Sequence, residues 1–271
     1  MRSITASAVL VGLVGLGTAA APVLAQEGAI QDNSFLVEEA YNQEAGVVQH
    51  ISVLELPRHG GDWSFDFTQE WPAPNMRHQL SYTVPVARVD GHSGVGDVAV
   101  NYRYQLLGEG GGPLAVAPRL SALLPTGDSE EGLGAGGAGV EVNLPVSLVA
   151  SERFVAHWNL GGSRTFGADG EGGAEADLDA VFAAQGLIWL ARPTLNLMLE
   201  ARWDRSETLA AGGRVEHEES FVVSPGARFA QNLDHLQIVY GLAFPVEVGA
   251  GDGSKSVLLY LSLEHPFRAT P

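Results

Sequence analysis

Stretches of about ten residues in which apolar and polar positions alternate recur along most of this chain. In "TLNLMLEARW" at 194–203, Leu195, Leu197, Leu199, Ala201 and Trp203 share one face of an extended strand, and Asn196, Met198, Glu200 and Arg202 share the other. Wound as a helix, the three leucines would spread around the cylinder, so the period of two prevails. The same beat runs through 63–67, 80–86, 98–106, 140–148, 154–160, 236–244 and 257–263, with less regular candidates at 46–57, 113–125, 178–191 and 219–230. The pattern predicts about twelve strands of roughly ten residues, the length of a tilted membrane-spanning strand.

The connections decide between a soluble sandwich and a barrel. Short ones at 73–75, 109–112, 152–153, 192–193 and 232–235 take turns with long ones at 90–96, 129–139, 167–176, 206–219 and 249–254. A meander with turns at one end and loops at the other is the arrangement of an up-and-down transmembrane β-barrel. The expected fold class is therefore all-β and antiparallel, with both termini on the short-turn, periplasmic side. Trp63, Trp71, Tyr104, Phe154 and Trp203 then fall near strand ends, where aromatic girdles form.

Composition adds the compartment. A basic start, an apolar run at 4–20 and small residues before Ala25 read as a secretory signal peptide over 1–25. No later apolar run reaches the ~20 residues of a helical span. The chain has no cysteine, which excludes disulfides and thiolate metal sites, and a formal net charge of −17, which excludes a basic nucleic-acid footprint. The expected location is the outer membrane of a Gram-negative bacterium, with lipid and lipopolysaccharide as surroundings. No cofactor and no metal are expected.

The barrel is assigned to 46–271 and a periplasmic segment or plug to 26–45. Asn33 or Ser34 can cap a short helix through "FLVEEAYNQ", with Phe35, Leu36 and Tyr41 as its apolar stripe.

Alternation also assigns the inward face. Asp66, Glu70, Arg103, Arg119 and Glu141 fall on it in the first half of the barrel. Arg164, Glu200, Arg202, Asp204, Arg228, Glu247 and Glu264 follow in the second. Charges excluded from hydrocarbon must pair or be hydrated, so these are the pore-lining candidates. Twelve strands lie between the filled barrel of eight and the open channel of sixteen, so the lumen is expected to be narrow. Acidic residues at 128–131, 169–177, 207 and 216–219 are expected to form a rim on the long loops.

Short motifs give no enzyme. "GHSGV" at 91–95 has Val95 where a nucleophile elbow needs glycine. "GLGAGGAG" at 132–139 lacks the lysine of a phosphate loop and reads as a surface loop. His217 among Glu216, Glu218 and Glu219 reads as solvated charge.

"DNSFLVEEAYNQEAGVVQHI" at 32–51 resembles the N-terminal signature of an outer-membrane transporter group assigned to the MetA pathway of phenol degradation. "QLSYTVPV" at 79–86, "GVGDVAVNYRYQL" at 94–106, "PRLSALLPTGD" at 118–128, "SPGARFA" at 224–230 and "GLAFPV" at 241–246 are similar to it too. The resemblance implies an outer-membrane β-barrel and no catalytic residues. The function expected is a channel for small solutes, hydrophobic or aromatic ones among them. A structural or adhesive barrel and an outer-membrane hydrolase are the alternatives.

Overall fold

The computed structural model describes residues 30, 32–109, 112–170, 173–210, 212–249 and 253–267. The signal peptide expected over 1–25 lies outside the described residues. The strands, in chain order, are β1 (Val47–Pro57), β2 (Trp63–Pro72), β3 (His78–Val89), β4 (His92–Val95), β5 (Val98–Tyr104), β6 (Leu114–Val116), β7 (Arg119–Leu124) and β8 (Gly139–Asn143). They continue as β9 (Val146–Ser151), β10 (Phe154–Gly170), β11 (Ala174–Arg192), β12 (Leu195–Ala210), β13 (Arg214–Leu233), β14 (Leu236–Ala243), β15 (Val246–Glu247) and β16 (Ser256–Pro266). Every pairing is antiparallel, and β1 zips to β16 from Val47↔Pro266 to Pro57↔Ser256, which closes the sheet on itself.

Some of these pieces are one wall strand interrupted. β6 and β7 part at Ala117-Pro118, β8 and β9 at Leu144-Pro145, and β14 and β15 at Phe244-Pro245. Proline has no N–H to give the ladder, so the strand breaks there while the chain keeps its course. Counted as walls, the strands form a closed twelve-stranded barrel, with no α-helix among the described residues. Both ends of the described chain lie at the rim that carries the short turns, here called the terminal end. The opposite rim is the far end.

The outer face is apolar. Leu197, Leu199, Leu259, Tyr240, Leu242 and Val142 are all exposed there, on the parity the sequence assigns. Trp71 and Tyr82 meet edge-on at the terminal end, and Tyr104 packs against His78 beside them. Trp203 departs from expectation, since it sits in the middle of β12 rather than at its end. Leu195 to Trp203 covers about 26 Å along the strand at ~3.3 Å per residue. Beyond Trp203 the outward side chains of β12 are Arg205 and Glu207, so the strand projects past its apolar face there and Trp203 still marks the edge.

That projection corrects the expected loops at 167–176 and 206–219. β10 and β11 run 17 and 19 residues, β12 and β13 run 16 and 20, and their hairpins turn only after Gly170 and Ala210. Alternation continues past the membrane in charged residues, which look like loop composition. The stretch at 90–96 is likewise a tight turn at Asp90-Gly91 followed by β4, so Ser93 lies on a strand opposite Arg88. The loop at 129–139 is neither strand nor free: Leu133 is buried. It packs against the inner wall, where a Cβ on Gly94 or Gly96 would meet it. Asp97 holds the loop, accepting the Gly127 amide at 2.9 Å and the Ala135 amide at 2.7 Å.

The expected helix over 35–43 does not form. Residues 32–43 form an irregular strap through the lumen, bent at 35–37 and again at 40, and their amides bond to wall side chains instead of to carbonyls four residues back.

Candidate functional site

The inner wall at the terminal end is polar, and the N-terminal segment lies against it. The cross-strand register places Glu70 beside Gln49, Asn101 beside Ser121, Arg119 beside Asn143 and Asn196 beside Arg228. A single inward belt of long polar side chains results. Each strand places one or two of them at segment height, because every second residue points inward.

Glu38 is the first anchor. Its carboxylate accepts Arg103 Nη1 at 3.0 Å, Arg119 Nε at 2.8 Å and Asn143 Nδ2 at 2.8 Å. Arg119 bridges onward to Glu141 at 2.7 Å. Glu39 is the second anchor. It accepts Arg228 Nη1 at 3.0 Å and the Ser34 hydroxyl at 3.1 Å. Both Arg228 and Glu39 are buried, so breaking this pair by removing one partner would strand a charge away from water.

Asp32 is the third anchor. Its Oδ1 accepts the Tyr260 hydroxyl at 2.7 Å, while its Oδ2 is buried without a partner. Burial pushes this carboxyl up to about 6, against the pull of Arg228 and the Tyr260 hydroxyl. Phe35 fits beside Tyr260 with ring centroids 5.1 Å apart, and a Cβ on Gly226 or Gly241 would run into its ring.

The segment divides the lumen in two. On its far side lies a cavity of about 250 Å³ whose walls include Ile51, Val53, Tyr260, Thr68, Thr83 and Arg119. On its terminal side lies one of about 180 Å³ lined by five carboxylates (Asp32, Glu39, Glu44, Glu70 and Glu264) and no basic residue.

Eleven of the twelve candidate residues face inward. Glu70, Arg103, Arg119, Glu200 and Arg228 touch the segment directly, and Glu141 does so through Arg119. Glu264 faces the terminal-side cavity. Asp66, Arg202, Asp204 and Glu247 stand farther along. Of these, Arg202 pairs with Asp204 at 2.7 Å and lies 4.4 Å over the Phe182 ring. Arg164 is a correction. It sits opposite Val140 and Asp179 on the outer face, where it pairs with Asp177 at 2.9 Å. Its outward neighbours Asp177 and Asp179 both pair with it, so the arginine is neutralised rather than set against bare hydrocarbon.

The acidic rim also divides. Opposite β12, Glu216 and Glu218 share the inward parity of Arg228, while His217 and Glu219 face out, Glu219 accepting Trp203 Nε1 at 2.7 Å. The alternation keeps these four from converging on one ion.

Sequence reasoning missed Gln79, Gln105, Ser147, His157 and Asn159. They are uncharged, and only their inward parity marks them. Ser147 Oγ lies 2.7 Å from His157 Nδ1, and His157 Nε2 lies 3.6 Å from Glu39. The array looks like a nucleophile and its base. However, Ser147 is fully buried and its oxygen already accepts the Ala40 amide at 2.8 Å, so no substrate carbonyl has room to reach it.

No family model and no curated protein matches the chain. Solved structures do match in fold. An outer-membrane channel from Pseudomonas putida F1 superposes with a TM-score of 0.62 at 13% identity, covering 83% of this chain and 97% of that one. The NanC porin does so with a TM-score of 0.51 at 8% identity, covering 80% and 98%. The architecture is that of outer-membrane channel barrels.

Proposed function

We propose that this protein is an outer-membrane channel for small solutes, held closed by its own residues 30–45. The observation that carries the reading is how the segment is attached. Its bonds go to side chains of the wall, and no wall strand pairs with it. It can therefore leave without breaking any strand pair.

The far-side cavity suits a small amphipathic molecule, such as an aromatic ring bearing a polar group. Ile51, Val53 and Tyr260 offer apolar surface, and Thr68, Thr83 and Arg119 offer hydrogen bonds. This fits the small hydrophobic or aromatic solutes expected for the channel; the sequence resemblance itself implies the barrel and no substrate. A purely hydrocarbon solute would leave those polar groups unpaired.

One observation favours a second reading, a sealed structural barrel. Three anchors and a row of amide bonds hold the segment, which is ample for permanent closure. Single-channel recording of the refolded chain separates the two. Glu38→Ala with Glu39→Ala removes both arginine anchors. A channel predicts a rise in open time of tenfold or more over the unaltered chain, and current that a small aromatic acid reduces. Persistent silence in a correctly folded double variant would establish the sealed barrel.

A further inference from the structure

The wall grips the segment mostly by its backbone. Glu200 Oε1 accepts the Leu36 amide at 2.9 Å and the Val37 amide at 3.0 Å. Asn159 pairs with residue 38 both ways, accepting its N–H at 2.7 Å and donating to its carbonyl at 2.8 Å. Gln105 repeats the device, accepting the Asn42 amide at 3.0 Å and donating to the Ala40 carbonyl at 2.8 Å. Gln79 accepts the Gln43 amide at 2.7 Å. The arginines reach carbonyls too: Arg103 those of Glu39 and Tyr41, Arg228 those of Asp32 and Asn33.

A carboxamide that both accepts from and donates to a peptide chain recognises backbone groups left free of helix or sheet bonding, whatever side chains they carry. Within the barrel this is the available way to hold a peptide, since the strands of a closed barrel have no edge left for a new strand. Side chains add two preferences. One is for adjacent carboxylates, at Glu38 and Glu39. The other is for an aromatic ring three residues before the first of them, at Phe35 against Gly226 and Gly241.

We propose that the inner wall is a binding track for acidic oligopeptides, and that residues 33–43 are its resident occupant. The proposal rests on the reading that the segment can be released. Once it is, the same polar belt remains, with its acceptors and donors at peptide spacing and two arginine sockets empty.

The test uses the full chain carrying Glu38→Ala and Glu39→Ala, in which the wall is untouched. A synthetic peptide of the sequence NSFLVEEAYNQ is added to the bilayer chamber. Its binding is read as interruption of the current. A second peptide has alanine at the positions of Leu36, Val37 and Tyr41, and is expected to block within threefold of the first. N-methylation at the positions of Glu38 and Asn42 removes two of the bonded amides, and is expected to weaken block at least tenfold. N-methylation at Glu39 and Tyr41, whose amides meet no acceptor among the described residues, is expected to weaken it far less.

If current appears but neither peptide blocks it, or both methylated peptides act alike, the track is refuted while the channel stands. If the variant folds and carries no current, the channel reading itself fails. Should the double variant not fold, the unaltered chain serves. Excess peptide is expected to displace the resident segment and expose 30–45 to a protease, and protection unchanged at saturating peptide would overturn the proposal.

Discussion

The two halves of the lumen carry the same residue types on the same alternating register, yet their charges have different fates. In the terminal half, Glu200, Asn196 and Arg228 are almost wholly buried, because the segment covers them. In the far half, Arg202 and Asp204 keep about a third of their surface exposed and pair with each other. An inward charge is therefore not by itself a pore lining. In one half it is an anchor for a piece of chain, and in the other it meets the lumen.

The largest expected effect breaks the terminal half alone. The Glu38→Ala, Glu39→Ala chain should conduct while Arg202→Ala leaves closure intact, since Arg202 does not touch the segment. Equal currents from the two in planar bilayers would erase the distinction.

Next comes the wall that both halves share. Val84→Arg places a charge on the lipid face and should cost ~2–4 kcal/mol in a urea titration into vesicles. Thr83→Arg, one residue away, points into the far-side cavity and should cost much less. Met198 is unsuitable as the inward partner of Leu197. It faces the lumen as its parity requires, but it is packed with Ile188 and Leu190 under the segment. Arginine there would be buried in an apolar cluster.

A smaller effect is expected from pH. Asp32 has its carboxyl raised to about 6 by burial when the segment is docked. A raised acid favours the protonated state, so docking is strongest below the free value near 4 and weakens as pH rises through 6. Segment release, read by protease cleavage, should increase by roughly fiftyfold between pH 4 and 7, as a shift of about two pH units requires. Asp32→Asn should flatten that dependence, and a profile unchanged by it would show that Asp32 is not the group responsible.

The smallest effect lies at the far rim. Within the conducting variant, Glu216→Gln with Glu218→Gln should lower cation preference in dilute salt. Glu219→Gln should not, because it faces outward. Screening over ~8 Å at physiological salt should abolish the difference. Reversal potentials across a salt gradient measure it.

The barrel was legible because hydrocarbon enforces alternation. A residue such as Leu197 has one acceptable face, and a slip of one position would expose Glu200 to lipid. Beyond the hydrocarbon that constraint lapses, which is why the pattern misassigns Arg164 to the inside and the strands of the tall hairpins to loops. Most of the site was illegible for a related reason. Gln79, Gln105 and Asn159 matter through bonds to a segment more than thirty residues away in sequence, and local pattern carries no record of that pairing. The failed helix over 35–43 has the same cause: capping and stripe favour it locally, and the wall outbids them.

Gly46 lies between the segment and β1, with φ at 78°, a conformation that other residues adopt only under strain. It makes a swivel of the shortest kind, since β1 begins at Val47. A binding element on so short a tether never dilutes into the surroundings. Its effective concentration at the wall is of millimolar order. Anything that opens this barrel therefore competes with a ligand that is always present, and opening should come as brief bursts whose frequency the competitor sets.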